Sequence, residues 1–381
     1  MSNYISEIDF IKSKFLAQEF IPLHEPKFVG KEREYILDAI ESTYVSSVGG
    51  YVDRFERMMA EISETKYAVA TVNGSAALHM ALKLSGVKRD DLVITQALTF
   101  VATANAISYE GAIPVFLDVD EDTMGLSPEA LKKYLSENCI LLPSGPKHKS
   151  SGRKIAACVP MHTFGIPCRV VEIQKICEEW NIPLVEDAAE SIGSLYHGRH
   201  TGSFGLFGTF SFNGNKTLTC GGGGAIVTND EKLAKKVKHI TTQAKIPHKW
   251  EFGHDEIGYN YRMPNLNAAM ACAQLEMLDL FVENKRCLAL EYQDYFKESG
   301  IVFKGEIEGT KANYWLNAIQ LPNRSERDEF LKVTNDNGVM TRPIWNLMTE
   351  LEMFKNCEHD ELVNSHFLKD RIVNIPSSVR I

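Results

Sequence analysis

Several things are scarce in this sequence, and each scarcity removes a class of function. Its eight cysteines, Cys139, Cys158, Cys168, Cys177, Cys220, Cys272, Cys287 and Cys357, form no C-x-x-C pair and are scattered through apolar segments. That pattern predicts reduced, mostly buried thiols and speaks against a disulfide framework or a zinc site. Basic charge is in deficit, with a formal net charge of -9. Nonspecific nucleic-acid binding asks for a basic patch or balance, so it is not expected. No stretch approaches the roughly 18 consecutive apolar residues of a membrane helix. Met1 to Phe20 mixes Glu7, Asp9, Lys12 and Lys14 into short apolar runs and lacks the basic start and apolar core of a signal peptide. A cytoplasmic protein without membrane or nucleic-acid partners is the expectation. Internal repeats and low-complexity tracts are missing too.

What is present is an ordinary enzyme-like balance, 44% hydrophobic and 24% charged, over 381 residues. From about Lys66 to Asn229, short apolar runs alternate with amphipathic stretches. Strands are predicted at Tyr67–Val72, Leu92–Thr95, Ile113–Val119, Ile155–Met161, Ile182–Glu186, Thr209–Phe212 and Gly224–Thr228. Helices are predicted at Ser75–Leu84, Phe100–Tyr109 and Val170–Trp180. Such alternation implies a largely parallel sheet covered on both faces. Asn138–Lys154, with Gly145, Pro146 and Gly152, reads as an exposed loop. Past Asp230 the style changes. Asn267–Phe296 reads as one long helix, with Ala271, Leu275, Leu278 and Val282 at helical spacing, followed by an apolar run at Trp315–Leu321 and a helix at Arg324–Asn337. The division expected is an N-terminal extension (1–20), a large domain (21–250), and the long helix with a small α+β domain (251–381).

Four clusters bear chemistry. Asn73-Gly74-Ser75-Ala76 is a small-residue turn between a strand and a helix, where unpaired backbone N–H groups and the helix dipole suit a phosphate. Val185-Glu186-Asp187-Ala188-Ala189-Glu190 lies at the end of an apolar strand, where ligands of open parallel sheets sit. A carboxylate there can pair with a cationic ring nitrogen; alone, the segment reads rather as a helix start capped by its Asp. Ser211-Phe212-Asn213-Gly214-Asn215-Lys216 ends in a lysine just before Thr217-Leu218 and the Gly221–Gly224 run. A partly buried lysine can act as an amine nucleophile, whereas a lone lysine is usually a solvated surface charge. Gly258-Tyr259-Asn260-Tyr261-Arg262-Met263 offers an amide and a guanidinium that can hold a phosphate or carboxylate, or pack an interface.

Taken in order, and with Thr99-Phe100-Val101-Ala102-Thr103, these motifs resemble the DegT/DnrJ/EryC1/StrS family of sugar aminotransferases. The resemblance runs from about Pro22 to Asn374-Ile375-Pro376-Ser377. It implies an α/β, fold type I, aspartate-aminotransferase-like protein: a large domain with a mostly parallel seven-stranded sheet and a smaller C-terminal α+β domain. It implies pyridoxal 5′-phosphate (PLP) as cofactor, joined to Lys216, which also shuttles protons. Asp187 would pair with the pyridine nitrogen, and Phe100 would stack on the ring. Gly74, Ser75 and Ser211 would hold the phosphate, with Asn260 contributed by the second subunit of a homodimer. No metal is implied.

Three departures from the family pattern stand out. Glu190 occupies a position near the cofactor's phenolic oxygen where the family usually has glutamine. Ser-Gly-Thr reads Gly74-Ser75-Ala76, and Gly-Glu-Gly-Gly reads Gly221-Gly222-Gly223-Gly224. The last two, with Ser211-Phe212-Asn213-Gly214-Asn215-Lys216, Met161-His162-Thr163-Phe164-Gly165 and the Asn138–Lys154 loop, resemble most the branch serving legionaminic acid and bacillosamine synthesis. The reaction implied moves the amine of L-glutamate to C4 of a UDP- or GDP-linked 4-keto-6-deoxy sugar, in the GlcNAc series. A perosamine-type aminotransferase is the near alternative. PLP-dependent sugar dehydratases resemble the family but carry histidine where this chain has Lys216, and a non-enzymatic PLP-binding scaffold is the remaining reading. His24, Ser47, Lys245, His248, Trp315, Arg342 and Trp345 are candidates for the sugar-nucleotide site, Arg342 foremost because Thr341-Arg342-Pro343 fixes a guanidinium able to meet a diphosphate.

Overall fold

The computed structural model describes residues 4–15 and 19–381, so part of the expected N-terminal extension (1–3 and 16–18) lies outside the described residues. Seven strands form the central layer. A three-stranded set runs Ile113–Leu117, Leu92–Gln96, Ile155–Val159, and a four-stranded set runs Val185–Asp187, Phe207–Ser211, Gly224–Thr228, Tyr67–Thr71. Parallel bridges Cys158↔Leu184 and Met161↔Asp187 join the two sets into one sheet. All neighbours pair in parallel except Gly224–Thr228, which is antiparallel to both of its partners. The sheet expected from the sequence is therefore present.

The central strands Leu92–Gln96, Ile155–Val159 and Gly224–Thr228 are buried at every position, as a sheet covered on both faces requires. Leu131, Ile173 and Cys177 pack with Leu92, Ile94 and Val115 in one hydrophobic cluster. Leu78, Ala81, Ile107 and Val237 pack with Val69, Val93 and Val159 in another. A second, smaller sheet runs Val302–Phe303, Asn317–Gln320, Ile372–Ile375, Arg342–Pro343, with every pair antiparallel. The first helix, Ile5–Ser13, packs Ile8 and Ile11 against Tyr292, Phe296, Ile319 and Val373, on this smaller sheet. Six of the cysteines are buried, Cys357 is half-buried and Cys287 is exposed. Among the described residues no helix is long and apolar enough to cross a membrane.

Two expectations are corrected. Asn138–Lys154 is not a plain loop: Cys139–Leu142 and Gly145–His148 form an antiparallel hairpin. Gly145 and Pro146 read as breakers, yet Gly145 (φ 104°) opens the second strand just past the turn, and His148 stacks on Tyr134. The long helix is two, Asn265–Leu275 and Leu278–Ser299, separated at Glu276–Met277. The apolar spacing continues across the break, so periodicity alone could not show it. The first piece is buried on nearly all sides through Ala268, Ala269, Ala271 and Ala273, whereas the second is amphipathic and ends at Gly300 (φ 77°).

Candidate active site

The sheet delivers its chemistry at the carboxyl ends of its strands. Tyr67–Thr71 leads into helix Gly74–Leu84, whose N-cap Asn73 accepts a hydrogen bond from the Ala76 N–H at 2.8 Å. Gly74 and Ser75 thus occupy the first turn, where backbone N–H groups have no partner within the helix. Strand Phe207–Ser211 ends at Ser211 beside that turn. A Cβ built on Gly74 would lie 2.8 Å from the Ser211 Cβ, so only glycine permits this approach. Asp187 closes strand Val185–Asp187, and Phe100 follows strand Leu92–Gln96. These residues line one cavity of about 680 Å³ together with Glu190, Lys216, Trp315, Arg342 and Trp345.

Within it, Lys216 is half-buried. Its Nζ donates to the Glu190 Oε1 at 3.2 Å and lies 3.8 Å from the centre of the Trp315 ring. The Trp315 indole N–H in turn donates to the Asn215 carbonyl at 2.6 Å, pinning the ring under the loop that carries the lysine. The other Glu190 oxygen accepts the backbone N–H of Phe164 at 2.9 Å. Phe164 achieves this in a left-handed conformation (φ 56°), uncommon for a buried aromatic residue. Asn313 braces the same loop, its Nδ2 donating to the carbonyls of Glu190 (2.9 Å) and Ile192 (2.8 Å).

Asp187 is almost sealed from solvent, at 3% exposure. Thr103 Oγ1 donates to its Oδ2 at 2.6 Å, and the Ala189 N–H donates to its Oδ1 at 3.1 Å. Burial pushes the carboxyl above the usual range. The Thr103 and Ala189 hydrogen bonds and the charges of Lys216 and His162 act against that shift. Burial likewise raises Glu190, chiefly opposed by Lys216. Behind this wall, His162 Nε2 lies 3.1 Å from the Glu186 Oε2 in a fully buried pair. Glu186 also accepts the N–H groups of Gly202, Phe204 and Gly205, tying the following loop to the strand that presents Asp187.

Gly74, Ser75, Phe100, Asp187, Glu190, Ser211, Lys216 and Arg342 therefore converge on one cavity. Asn260 does not line it. It is exposed, and its Oδ1 accepts hydrogen bonds from the Arg262 guanidinium. Of the sugar-nucleotide candidates, Trp315, Arg342 and Trp345 line the cavity, and His24, Ser47, Lys245 and His248 do not. Sequence reasoning assigned no role to Thr103 or Asn313, both of which act through contacts to residues far away in the chain. Thr103 stood inside a quoted motif, but nothing local links it to Asp187.

The profile of the DegT/DnrJ/EryC1/StrS aminotransferase family matches residues 26–381. The chain belongs to that family. It is a PLP-dependent aminotransferase. EpsN of Bacillus subtilis (strain 168), provisionally described as a pyridoxal phosphate-dependent aminotransferase, is 38% identical over 326 residues, covering 85% of this chain and 81% of that protein. GDP-perosamine synthase of Escherichia coli O157:H7 is 35% identical over 359 residues, covering 94% of this chain and 93% of that one. A DegT/DnrJ/EryC1/StrS aminotransferase from Brucella abortus superposes with a TM-score of 0.80 at 25% identity, over 91% of this chain and 90% of that one.

The cavity of this DegT/DnrJ/EryC1/StrS aminotransferase fits PLP in its donor set. The first-turn N–H groups of Gly74 and Ser75 and the Ser211 hydroxyl suit a phosphate, a buried carboxyl suits a ring nitrogen, and one amine is at hand.

Proposed function

We propose that this aminotransferase moves the amino group of L-glutamate to C4 of a nucleotide-linked 4-keto-6-deoxy sugar. The observation that carries the reading is the meeting of Lys216, Asp187 and the first turn at Gly74 in one cavity, with the Arg342 guanidinium on its wall. PLP supplies an electron-accepting ring and a carbonyl carbon able to carry the amine from donor to acceptor.

The residues then divide the work. The N–H groups of Gly74 and Ser75 and the Ser211 hydroxyl hold the phosphate. Asp187 keeps a proton on the ring nitrogen, and Phe100 covers the ring face. Lys216 is the lining amine that would hold the cofactor. It would also move a proton to and from the reacting carbon as general base and acid. Glu190 orients that amine by accepting its hydrogen bond. Arg342 meets the diphosphate of a UDP- or GDP-sugar.

A second copy of the chain completes the site through Asn260, which binds the partner's phosphate. Trp250, Phe252 and Ile257, exposed by 73%, 82% and 81%, support a symmetric dimer, because they lie just before the segment that carries Asn260 and are largely uncovered among the described residues.

The acceptor we favour is a UDP- or GDP-linked 4-keto-6-deoxy sugar of the GlcNAc series. A perosamine-type acceptor, with a hydroxyl at C2, is the second reading, favoured by the similarity to GDP-perosamine synthase over 94% of the chain. The test is spectroscopic. Glutamate alone is expected to bleach the visible band of the bound cofactor, and one 4-keto sugar is expected to restore it. Bleaching that no keto-sugar reverses would remove this acceptor class while leaving the aminotransferase.

A further inference from the structure

On the cofactor side of the cavity the buried polar groups are matched within the chain: both oxygens of Asp187 and both of Glu190 accept hydrogen bonds. Another part of the wall is different. Asn374 lies on strand Ile372–Ile375 with Arg342 as its cross-strand neighbour, and both line the cavity that holds Lys216. The residue is only 3% exposed, and among the described residues its sealed Nδ2 has no hydrogen-bond partner.

A second unmatched group stands on the adjoining segment. The chain at Leu23–Glu25 is fastened beside the end of that strand: the Ser377 N–H donates to the Leu23 carbonyl at 2.7 Å, and the Glu25 N–H donates to Ser378 Oγ at 2.9 Å. Leu23 lines the cavity. The next residue, His24, has both ring nitrogens sealed from solvent and without a partner. Burial, then the positive charges of Lys285 and Lys216, hold its imidazole well below the ordinary histidine range. It is therefore neutral, with one N–H to give and one lone pair to fill.

Folded chains leave few buried polar groups unmatched, and one on the wall of a ligand cavity, with another on the segment beside it, calls for a partner from outside the chain. The Nδ2 of Asn374 only donates, so its partner carries an oxygen or other acceptor. Trp315 and Leu316 flank this wall with uncharged surface, while the exposed Arg342 is its charged group. A neutral partner suits Asn374 better than an anionic one. We propose that Asn374 is the specificity element that reads a neutral oxygen of the sugar, either a ring hydroxyl or the carbonyl of an acylamino substituent. This assignment rests on the nucleotide-sugar reading above and adds which residue inspects the sugar.

The holoenzyme separates this role from a structural one, because the donor half-reaction involves no sugar. Asn374→Ala and Asn374→Ser are compared with wild type using UDP-4-keto-6-deoxy-GlcNAc and GDP-4-keto-6-deoxy-mannose as acceptors. The expected result is a KM for the keto-sugar raised about 10- to 100-fold, since a site that loses a polar contact discriminates strongly. Bleaching by glutamate should stay within roughly twofold of wild type. The melting temperature of the cofactor-free variants should not fall, because the substitution removes an unmatched group. A loss confined to the GlcNAc-derived sugar identifies the acyl carbonyl as the partner; an equal loss on both identifies a ring hydroxyl. An unchanged KM overturns the assignment alone. Equal slowing of both half-reactions with a lowered melting temperature also overturns it, in favour of a structural role. Wild-type enzyme that converts neither sugar overturns the acceptor reading, and this assignment with it.

Discussion

Lys216→Ala is expected to lose turnover by about a thousandfold or more, the combined effect of removing a nucleophile and a general base. The side chain sits at the centre of the cavity, donating to Glu190 at 3.2 Å and lying over Trp315, with no second amine among the lining residues. Lys216→Arg keeps the charge yet is expected to fail as well, because a guanidinium neither attacks a carbonyl nor gives up its proton near neutral pH. The same variant tests the shared site. Asn260→Ala should be impaired through weakened phosphate binding, and mixing it with Lys216→Ala under conditions that exchange subunits should regain activity that neither has alone. One site of each mixed dimer would then hold an intact Lys216 from one copy and an intact Asn260 from the other. Wild-type turnover in either lysine variant removes the assignment, and a mixture no better than its parts removes the contribution from the second copy.

Asp187→Asn is the second large effect, a loss of roughly 10²- to 10³-fold in kcat from removing one preorganised charge. Asparagine fits the space, so the protein should fold and still take up PLP. What changes is charge and hydrogen-bond capacity. The carboxylate accepts from both Thr103 and Ala189, whereas a carboxamide has one acceptor oxygen for those two donors. It also cannot keep a proton on a ring nitrogen by carrying negative charge. Both half-reactions should slow together, because each needs the ring to accept electrons. A variant with wild-type rates in either half-reaction would separate Asp187 from that task.

Much of this site was legible in the sequence because its parts are local. A strand–turn–helix junction with first-turn N–H groups is written in four consecutive residues, Asn73 to Ala76, and a carboxylate at a strand end follows its apolar run directly. Lys216 drew its meaning from Ser211 before it and the glycines after it. The strands themselves read clearly, because residues buried on both faces form short unbroken apolar runs bounded by turn residues.

What stayed hidden depends on distance along the chain. Thr103 and Asp187 are 84 residues apart, and the Trp315 indole and the Asn215 carbonyl are 100 apart. No periodicity joins such pairs; only the fold does. The unmatched Asn374 is invisible for the same reason, since a missing partner can be recognised only once every neighbour is placed. The break at Glu276–Met277 escaped for the opposite reason, a pattern that continues straight through it. Glu190 was seen as a departure from the family's usual glutamine. Its contacts supply a physical account: both of its oxygens accept, one from Phe164 and one from Lys216, so a glutamine here would turn an NH₂ toward one of two donors.

The most direct measurement is the fate of the nitrogen. Wild-type enzyme loaded with PLP would be given ¹⁵N-labelled L-glutamate and a nucleotide-linked 4-keto-6-deoxy sugar, and the sugar product analysed by mass and NMR. The predicted result is a nucleotide-linked sugar carrying ¹⁵N at C4, with 2-oxoglutarate formed in equal amount. A sugar that loses oxygen without gaining nitrogen, or 2-oxoglutarate that forms while the sugar stays unlabelled, would contradict the account.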